Sequence, residues 1–272
     1  MAFIFAVGAA VGSFVNVCVW RLPTDRSLFW PASHCPKCLR FIRWYDNLPL
    51  ISYLVLRGRC RRCGARISVR YPLVELGVAL SFAALYWWDI VVTGGRFPNY
   101  WLLVVHCYVT ASLIAGSLID LEHQILPDEI TGAGLVAGLF ASALLPALHV
   151  RQGPLLGVRW LDGLAWGGAG ALVGAGLTAG MAIVGKWIFR REAMGLGDVK
   201  LMAMLGAFFG WDGAVLIFFL APFFGLLIGG ALALKRRTRT IPYGPFLSMA
   251  AVAVMLFRPQ ILRWLAGLGR WR

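Results

Sequence analysis

The sequence predicts an all-α polytopic membrane protein with about eight transmembrane helices and a small cytoplasmic loop domain between the first and second helices. Its 272 residues are 60% hydrophobic, above the about 45–50% typical of soluble domains, and the mean hydropathy is +0.74. The apolar residues fall in long runs, and most of the 26 Lys and Arg residues lie between those runs. Membrane orientation therefore accounts for the net charge of +14, without nucleic-acid binding.

The first predicted span covers residues 2–20. It lacks a basic leading segment and a small-residue cleavage site, so we interpret it as a retained helix and not a removable signal. Its polar residues Ser13 and Asn16 are typical of close helix packing and interhelical hydrogen bonds. A position near an active site is the alternative for both.

Residues 21–70 form the only sizeable polar segment, with 11 Lys and Arg residues against two acids, Asp25 and Asp46. The positive-inside rule places this segment in the cytoplasm and the N-terminus outside. The same orientation places loops 120–128, 186–200 and 235–240 inside, so that 19 of the 26 basic residues are cytoplasmic.

Seven further spans follow the polar segment. They are predicted at residues 72–92, 100–119, 129–148, 163–189, 199–211, 213–234 and 241–265. A helix needs about 20 residues to cross the membrane completely, and the span at 199–211 is shorter than that. We therefore expect it to begin below the membrane surface.

The polar segment contains two Cys-x-x-Cys pairs, Cys35 with Cys38 and Cys60 with Cys63, separated by 21 residues. Four thiolates in this arrangement suit a structural zinc ion, because protein ligands fill all four positions. Disulfides are the competing interpretation, which a reducing cytoplasmic loop disfavours, and redox or unliganded thiols are a third. The single cysteines of the apolar spans, Cys18 and Cys107, are predicted as small buried hydrophobic residues.

Two aspartates are the strongest candidates for chemistry. Asp198 stands in Gly195-Leu-Gly-Asp198 before the short sixth span, and Asp120 stands at the end of the third. An acid inserted at membrane depth costs about 3 kcal/mol, so it is a functional hypothesis by default. The structural alternatives are a solvated helix end for Asp120 and a helix N-cap for Asp198.

Two carboxylates held close together share a proton, because both cannot ionise easily. One then activates a water as a base and the other polarises a carbonyl as an acid, as in aspartic proteases. Neither HExxH nor GxSxG occurs in the sequence, which disfavours a metalloprotease or a serine hydrolase. Glu122 and Asp128 are the acids that would substitute, although Asp128 is better interpreted as the cap of the next span, and His123 is either a tuning partner or simply solvated.

Longer motifs extend over nearly the whole chain. They are Gly12-Ser-Phe-Val-Asn-Val with Arg21-Leu-Pro23, the two Cys-x-x-Cys pairs, Arg43-Trp-Tyr-Asp-Asn-Leu-Pro49, Arg57-Gly-Arg-Cys60, Arg70-Tyr-Pro-Leu-Val-Glu75-Leu, Ile119-Asp-Leu-Glu-His-Gln-Ile-Leu-Pro-Asp128 and Gly195-Leu-Gly-Asp-Val-Lys-Leu-Met-Ala-Met-Leu-Gly206. With these motifs the chain resembles the type IV prepilin peptidases, the leader peptidase/N-methyltransferases of type IV pilus and type II secretion systems.

The resemblance implies a GxGD-type intramembrane aspartic protease whose catalytic pair is Asp120 and Asp198. It implies removal of a short basic leader from a prepilin or pseudopilin at the cytoplasmic face of the bacterial inner membrane, after a Gly and typically before a Phe. It also implies methylation of the new α-amino group, with S-adenosylmethionine as methyl donor and with Gly58 and the cysteine-bearing loop associated with this activity. The expected partners are these substrates and membrane lipid, and no nucleic acid.

The expected functional domains are a first transmembrane helix at 1–20, a zinc-binding, methyltransferase-associated loop domain at 21–71 and a peptidase domain at 72–272. Three other classes of function compete with this interpretation. A transporter would use Asp120 and Asp198 as proton or cation sites, although we see no inverted repeats. A membrane scaffold would need only the cysteine loop, and a nucleic-acid binder would need only that loop's charge.

Overall fold

A computed structural model describes residues 1–93, 99–145, 148–149, 153–190, 194–229 and 242–268. These residues form helices, turns and two isolated β-bridges, with no strand among them, which confirms the predicted all-α class. The chain divides into two compact units, Met1–Ala115 and Gly116–Arg272. Some basic positions used to orient the chain lie outside the described residues, among them the predicted loop 235–240, Arg96, Arg151, Arg191, Arg270 and Arg272.

The first unit contains two long helices, most of a third, and the cysteine-bearing loop. The helices are α1 (Ala2–Arg21), a short α2 (Ile51–Val55), α3 (Arg70–Tyr86), which a π-helical turn (Trp87–Val92) extends, and α4 (Tyr100–His123). The loop between α1 and α3 adds two 3₁₀ turns, Leu22–Thr24 and Trp44–Asp46. The last residues of α4, from Gly116 onward, belong to the second unit.

Helices α1 and α3 pack closely through the Gly and Asn residues of the first span. A Cβ added to Gly12 would lie 2.7 Å from the Cα atom of Glu75. One turn later the side-chain amide of Asn16 donates a hydrogen bond of 3.1 Å to the backbone carbonyl of Tyr71. The predicted interhelical hydrogen bonding is therefore confirmed for Asn16, and it fixes the start of α3 against the end of α1.

The second unit contains the end of α4 and four more helices: α5 (Asp128–Leu144), α6 (Arg159–Phe189), α7 (Leu196–Phe224), which a π-helical turn (Gly225–Gly229) extends, and α8 (Gly244–Leu268). Within the described residues six helices are long and apolar enough to cross a membrane. These are α1, α3 with its π-helical extension, α4, α6, α7 and α8. Helix α5 has 17 residues and is shorter than each of these six spans.

A kink at Gly210 divides α7 into two helical arms, residues 196–209 and 211–224. The backbone there has φ 71° and ψ 179°, a conformation that is essentially restricted to glycine. The kink lies two residues before position 212, where the predicted sixth and seventh spans meet, so the short sixth span corresponds to the first arm of α7. Counting the two arms separately gives eight apolar helices in the described part of the chain, consistent with the predicted number of about eight.

Candidate active site and candidate metal centre

Asp198 lies in the first turn of α7 and is buried, with 9% of its surface exposed. Gly195 is the N-cap, and its backbone N–H donates a hydrogen bond of 3.3 Å to Oδ2 of Asp198. The N-cap alternative for Asp198 is therefore wrong by three positions, because the extended backbone that begins the helix is that of Gly195. The carboxylate instead reaches back to the start of the helix and satisfies one of its free N–H groups.

Asp120 lies in the last turn of α4 and is also buried, with 7% exposed. Its Oδ2 accepts a hydrogen bond of 3.0 Å from the backbone N–H of Gly244, the first residue of α8. A Cβ on Gly244 would stand 2.5 Å from that oxygen, so only glycine allows this approach. The alternative of a solvated helix end for Asp120 is wrong, because α8 covers the carboxylate.

The two buried carboxylates are close enough for the charge of Asp198 to act on Asp120. Tyr243, which precedes Gly244, is half-buried and lies close enough to Asp198 for that charge to act on its phenol. A phenol can both donate and accept a hydrogen bond. Neither Tyr243 nor Gly244 is among the candidate residues predicted from the sequence, where their only local signal is the tripeptide Tyr-Gly-Pro at the start of the last span.

The substitute acids lie at exposed positions. Asp128 forms an ion pair with Lys200 at 2.6 Å, and 71% and 50% of their side chains are exposed, respectively. Asp128 is also the first residue of α5, and the N-cap of that helix is Pro127. The prediction that Asp128 caps this helix is therefore wrong by one residue. Glu122 is 41% exposed and lies 4.0 Å from the imidazole of His123. Of the four acids, Asp120 and Asp198 are the two removed from water.

The segment between α4 and α5 connects the two halves of this site. A Cβ on Gly197 would lie 2.9 Å from Cβ of Leu126, and one on Gly116 would lie 3.3 Å from Cδ2 of the same leucine. Leu126 thus fits between a glycine four residues before Asp120 and the glycine next to Asp198. The second glycine of the Gly-x-Gly-Asp motif therefore makes room for the segment between α4 and α5, because a glycine has no Cβ to prevent this close approach.

The four loop cysteines come together as their spacing predicts. All four Sγ atoms lie within 4.8 Å of one another, and the Sγ atoms of Cys35 and Cys63 are 3.8 Å apart. Four sulfurs at about 2.3 Å from a central zinc ion lie about 3.8 Å from each other, so the geometry fits a tetrahedral metal site. The four residues can therefore hold a metal ion.

Each pair sits on a similar turn. The carbonyl of Cys35 accepts the N–H of Leu39 at 2.8 Å, and the carbonyl of Cys60 accepts the N–H of Gly64 at 2.9 Å. Both residues that follow a pair are left-handed, Leu39 with φ 57° and Gly64 with φ 69°. The N–H groups of Cys63 and Arg62 lower the pKa of the Cys60 thiol to about 7, which favours the thiolate that binds metal. The single cysteines Cys18 and Cys107 are buried, as predicted.

Comparisons with known proteins match the two parts of the chain separately. Residues 6–88 match the family model of the bacterial peptidase A24 N-terminal domain, and residues 107–230 match that of the type IV leader peptidase family. A type 4 prepilin-like proteins leader peptide-processing enzyme from Escherichia coli O78:H11 is 38% identical over 268 residues, which cover 91% of this chain and 90% of that protein. The chain belongs to the type IV leader peptidase family.

Two further relatives carry the name prepilin leader peptidase/N-methyltransferase. The one from Pseudomonas putida is 36% identical over 283 residues, 94% of this chain and 90% of that protein. The one from Myxococcus xanthus is 40% identical over 227 residues, 84% of this chain but 61% of that protein. No solved structure matches the chain. Family membership and the six apolar helices identify a multi-pass membrane enzyme and give no support to the transporter hypothesis.

Gly58, which the family resemblance associates with methylation, is buried in the turn after α2 and has φ 65°. Its N–H donates to the carbonyl of Tyr53 at 2.9 Å, and its own carbonyl accepts the N–H of Ile67 at 2.7 Å. A Cβ on Gly58 would lie 2.9 Å from Oη of Tyr53. Gly58 therefore leaves room for the tip of the Tyr53 ring, and Tyr53 lines a cavity of the first unit.

Proposed function

We propose that this chain removes the basic leader of type IV prepilins or pseudopilins and then methylates the new N-terminal amine. Asp120 and Asp198 are the catalytic pair of the cleavage. The observation that supports this most strongly is the pair itself: two buried carboxylates, each aligned by a glycine N–H, in a member of the leader peptidase family. The alternative of a transporter with the same aspartates lacks a matching family or internal repeat.

Cleavage by this pair requires no metal. One carboxylate removes a proton from a water, whose oxygen bonds to the carbonyl carbon of the scissile peptide, while the other, protonated, donates to the carbonyl oxygen. The C–N bond then breaks, its electron pair stays on nitrogen, and a proton from the pair neutralises the leaving amine. The hydrogen bonds from Gly195 and Gly244 hold the two carboxylates in place during these transfers.

The proposed membrane is the bacterial inner membrane, with the N-terminus outside and both aspartates at the cytoplasmic side. The positive-inside count supports this orientation, since the cysteine loop alone carries 11 of the 26 basic residues. In this arrangement the apolar helix of a prepilin lies in the bilayer, and its basic leader reaches the pair from the cytoplasm.

We assign a structural zinc ion to Cys35, Cys38, Cys60 and Cys63. The tetrahedral spacing of the sulfurs supports zinc, and a site with four protein ligands leaves no open position for substrate. When bound, the ion would hold the two turns of the loop together. It plays no part in the cleavage steps.

Methylation requires a donor, for which we propose S-adenosylmethionine. This group supplies an electrophilic methyl carbon when bound. The neutral α-amine of the cleaved substrate forms the new N–C bond, the methyl carbon–sulfur bond breaks with its electron pair on sulfur, and the resulting ammonium releases a proton to solvent. S-adenosylhomocysteine and the N-methylated protein are the products.

Mass spectrometry of a prepilin incubated with the purified chain tests both reactions. With S-adenosylmethionine present we expect loss of the leader and gain of one methyl group on the new N-terminus. Without it we expect leader loss alone. An intact prepilin after incubation in detergent and in lipid vesicles would contradict the proposed peptidase, and a cleaved but never methylated product would contradict the second activity only.

A further inference from the structure

A second contact joins α4 to α8, one helical turn from the hydrogen bond between Gly244 and Asp120. Oγ of Ser117 donates a hydrogen bond of 2.9 Å to Oγ of Ser248. Ser117 precedes Asp120 by three positions and Ser248 follows Gly244 by four, so each serine shares a helix face with a member of the aspartate contact. All four residues belong to the second unit. Neither serine takes part in the proposed cleavage steps.

The hydroxyl of Ser248 has a defined direction. It donates a hydrogen bond of 2.9 Å to the backbone carbonyl of Gly244, and a hydroxyl has only one proton to donate. Ser248 therefore accepts the proton of Ser117. The hydroxyl of this buried serine thus links α4 to the same glycine whose N–H binds Asp120.

The four residues form a closed ring of contacts. Ser117 bonds Ser248, Ser248 bonds the carbonyl of Gly244, the N–H of Gly244 bonds Asp120, and the backbone of α4 connects Asp120 to Ser117. Gly244 is thereby held on both sides of its Cα atom. One hydrogen bond alone would let α8 pivot about it, whereas two contacts one turn apart also fix the rotation of α8 relative to α4.

Close packing is the alternative role for Ser248, because small residues let membrane helices approach each other. Its neighbours Leu247, Ala250 and Ala251 are fully buried and apolar. An alanine at position 248 would fill nearly the same space as the serine. Only the hydroxyl distinguishes the two roles, and its two hydrogen bonds indicate that the hydroxyl is used.

We propose that Ser117 and Ser248 are positioning residues for leader cleavage, which direct the N–H of Gly244 at the carboxylate of Asp120. They act through Gly244 and not on the substrate itself. The inference rests on the proposed function, because that function assigns Asp120 to the catalytic pair.

Steady-state cleavage of a prepilin peptide by Ser248→Ala tests the positioning role. We expect kcat to fall about tenfold, less than the about 10²-fold that a displacement of about 1 Å costs, because α8 keeps its other contacts. KM should stay within about twofold of wild type, since the lost alignment matters in the transition state.

Ser81→Ala is the matched control. Ser81 donates the same kind of bond, to the carbonyl of Gly77 at 2.8 Å, but in α3 of the first unit. Its loss should leave kcat within about twofold of wild type. Ser117→Thr is the conservative variant, and because it keeps a hydroxyl we expect it to cleave within about threefold of wild type.

Double variants separate positioning from packing. Ser117→Ala is expected to lower kcat by about three- to tenfold alone and to have no further effect in Ser248→Ala, which lacks the acceptor. Ser248→Ala should likewise add nothing to Gly244→Ala, in which the new Cβ, 2.5 Å from Oδ2, has already displaced Asp120. Effects that multiply in both double variants would overturn the proposal, because residues that serve packing alone act independently of the hydroxyl chain.

Hydrogen exchange of the Gly244 amide reads the same contact without any cleavage. We expect exchange in Ser248→Ala to be about tenfold faster than in wild type, and exchange in Ser81→Ala to be unchanged. Wild-type exchange together with wild-type kcat in Ser248→Ala would overturn the proposal and leave the peptidase intact. Wild type that never cleaves a prepilin would overturn the proposed peptidase and, with it, the role of the serines in cleavage.

Discussion

The backbone N–H of Gly244 donates a hydrogen bond of 3.0 Å to Oδ2 of Asp120, although the two residues are 124 positions apart in the chain. The bond brings the start of α8 against the end of α4. It buries one of the two candidate catalytic carboxylates and fixes its orientation. The last helix is thereby part of the candidate active site, although the leader peptidase family model ends at residue 230.

Gly244→Ala is predicted to lower kcat for leader cleavage by about 10²-fold with a small change in KM. The new Cβ would stand 2.5 Å from Oδ2 of Asp120, so the carboxylate must move, and a displacement of about 1 Å costs about this factor. Steady-state cleavage of a prepilin peptide measures the effect. Gly132→Ala in α5 is the control, because its Cβ meets nothing within 4 Å. A kcat for Gly244→Ala within twofold of wild type would show that the contact is unimportant.

Much of this arrangement follows from sequence. The apolar runs predict the helices because a helix needs about 20 mostly apolar residues to cross the hydrocarbon core of a bilayer. The spacing of Cys35, Cys38, Cys60 and Cys63 predicts their cluster, because a chain can bring two short turns face to face with little constraint on what separates them. Asp198 stands out because an acid beside two glycines is costly among apolar neighbours.

The contact between Gly244 and Asp120 could not be predicted in the same way. It joins a backbone N–H to a side chain across 124 positions, and no local pattern encodes such a pairing. The contact between Gly58 and the ring of Tyr53 could not be predicted either, since it depends on where that ring lies in three dimensions. The kink of α7 has one signal in the sequence, which is Gly210. Glycine also allows close packing of membrane helices, so the residue alone does not distinguish a kink from a packing contact.

Cys38→Ser is predicted to lower the bound zinc from about one ion per chain and to make residues 21–70 more susceptible to proteolysis. Removing one of four ligands weakens the site, and metal binding contributes directly to the stability of such loops. Elemental analysis and limited proteolysis measure the two effects. Wild type that is correctly folded and free of zinc would contradict the metal assignment.

Leu39→Gly is predicted to slow the release of metal from the loop to a chelator. Leu39 holds a left-handed backbone, which costs a side-chain-bearing residue about 1–2 kcal/mol, and its side chain is 72% exposed, so little packing is lost. Gly64, at the equivalent position, already avoids this cost. Release that is equally fast or faster in Leu39→Gly would indicate that the turn is not strained.

Alkylation of the metal-free protein is predicted to reach half its maximal rate at Cys60 near pH 7. The N–H groups of Cys63 and Arg62 stabilise the thiolate, so the pKa is lowered to about 7 and the reactive form persists as pH falls to that value. An ordinary thiol has its midpoint at about 8.5. Mass spectrometry of peptides alkylated at a series of pH values measures the midpoint. A value at or above 8.5 would contradict the hydrogen-bonding account.

The most direct test of the catalytic pair is the rate of prepilin cleavage by wild type, Asp120→Asn and Asp198→Asn, with methylation of a pre-cleaved substrate followed in the same samples. Glu122→Gln is the control, since it neutralises an exposed acid two residues from Asp120. We expect cleavage to fall by about 10²–10⁴-fold or more in both Asn variants, while the control cleaves normally and all four proteins methylate. If either Asn variant cleaves the prepilin at the wild-type rate, the assignment of Asp120 and Asp198 as the catalytic pair is contradicted.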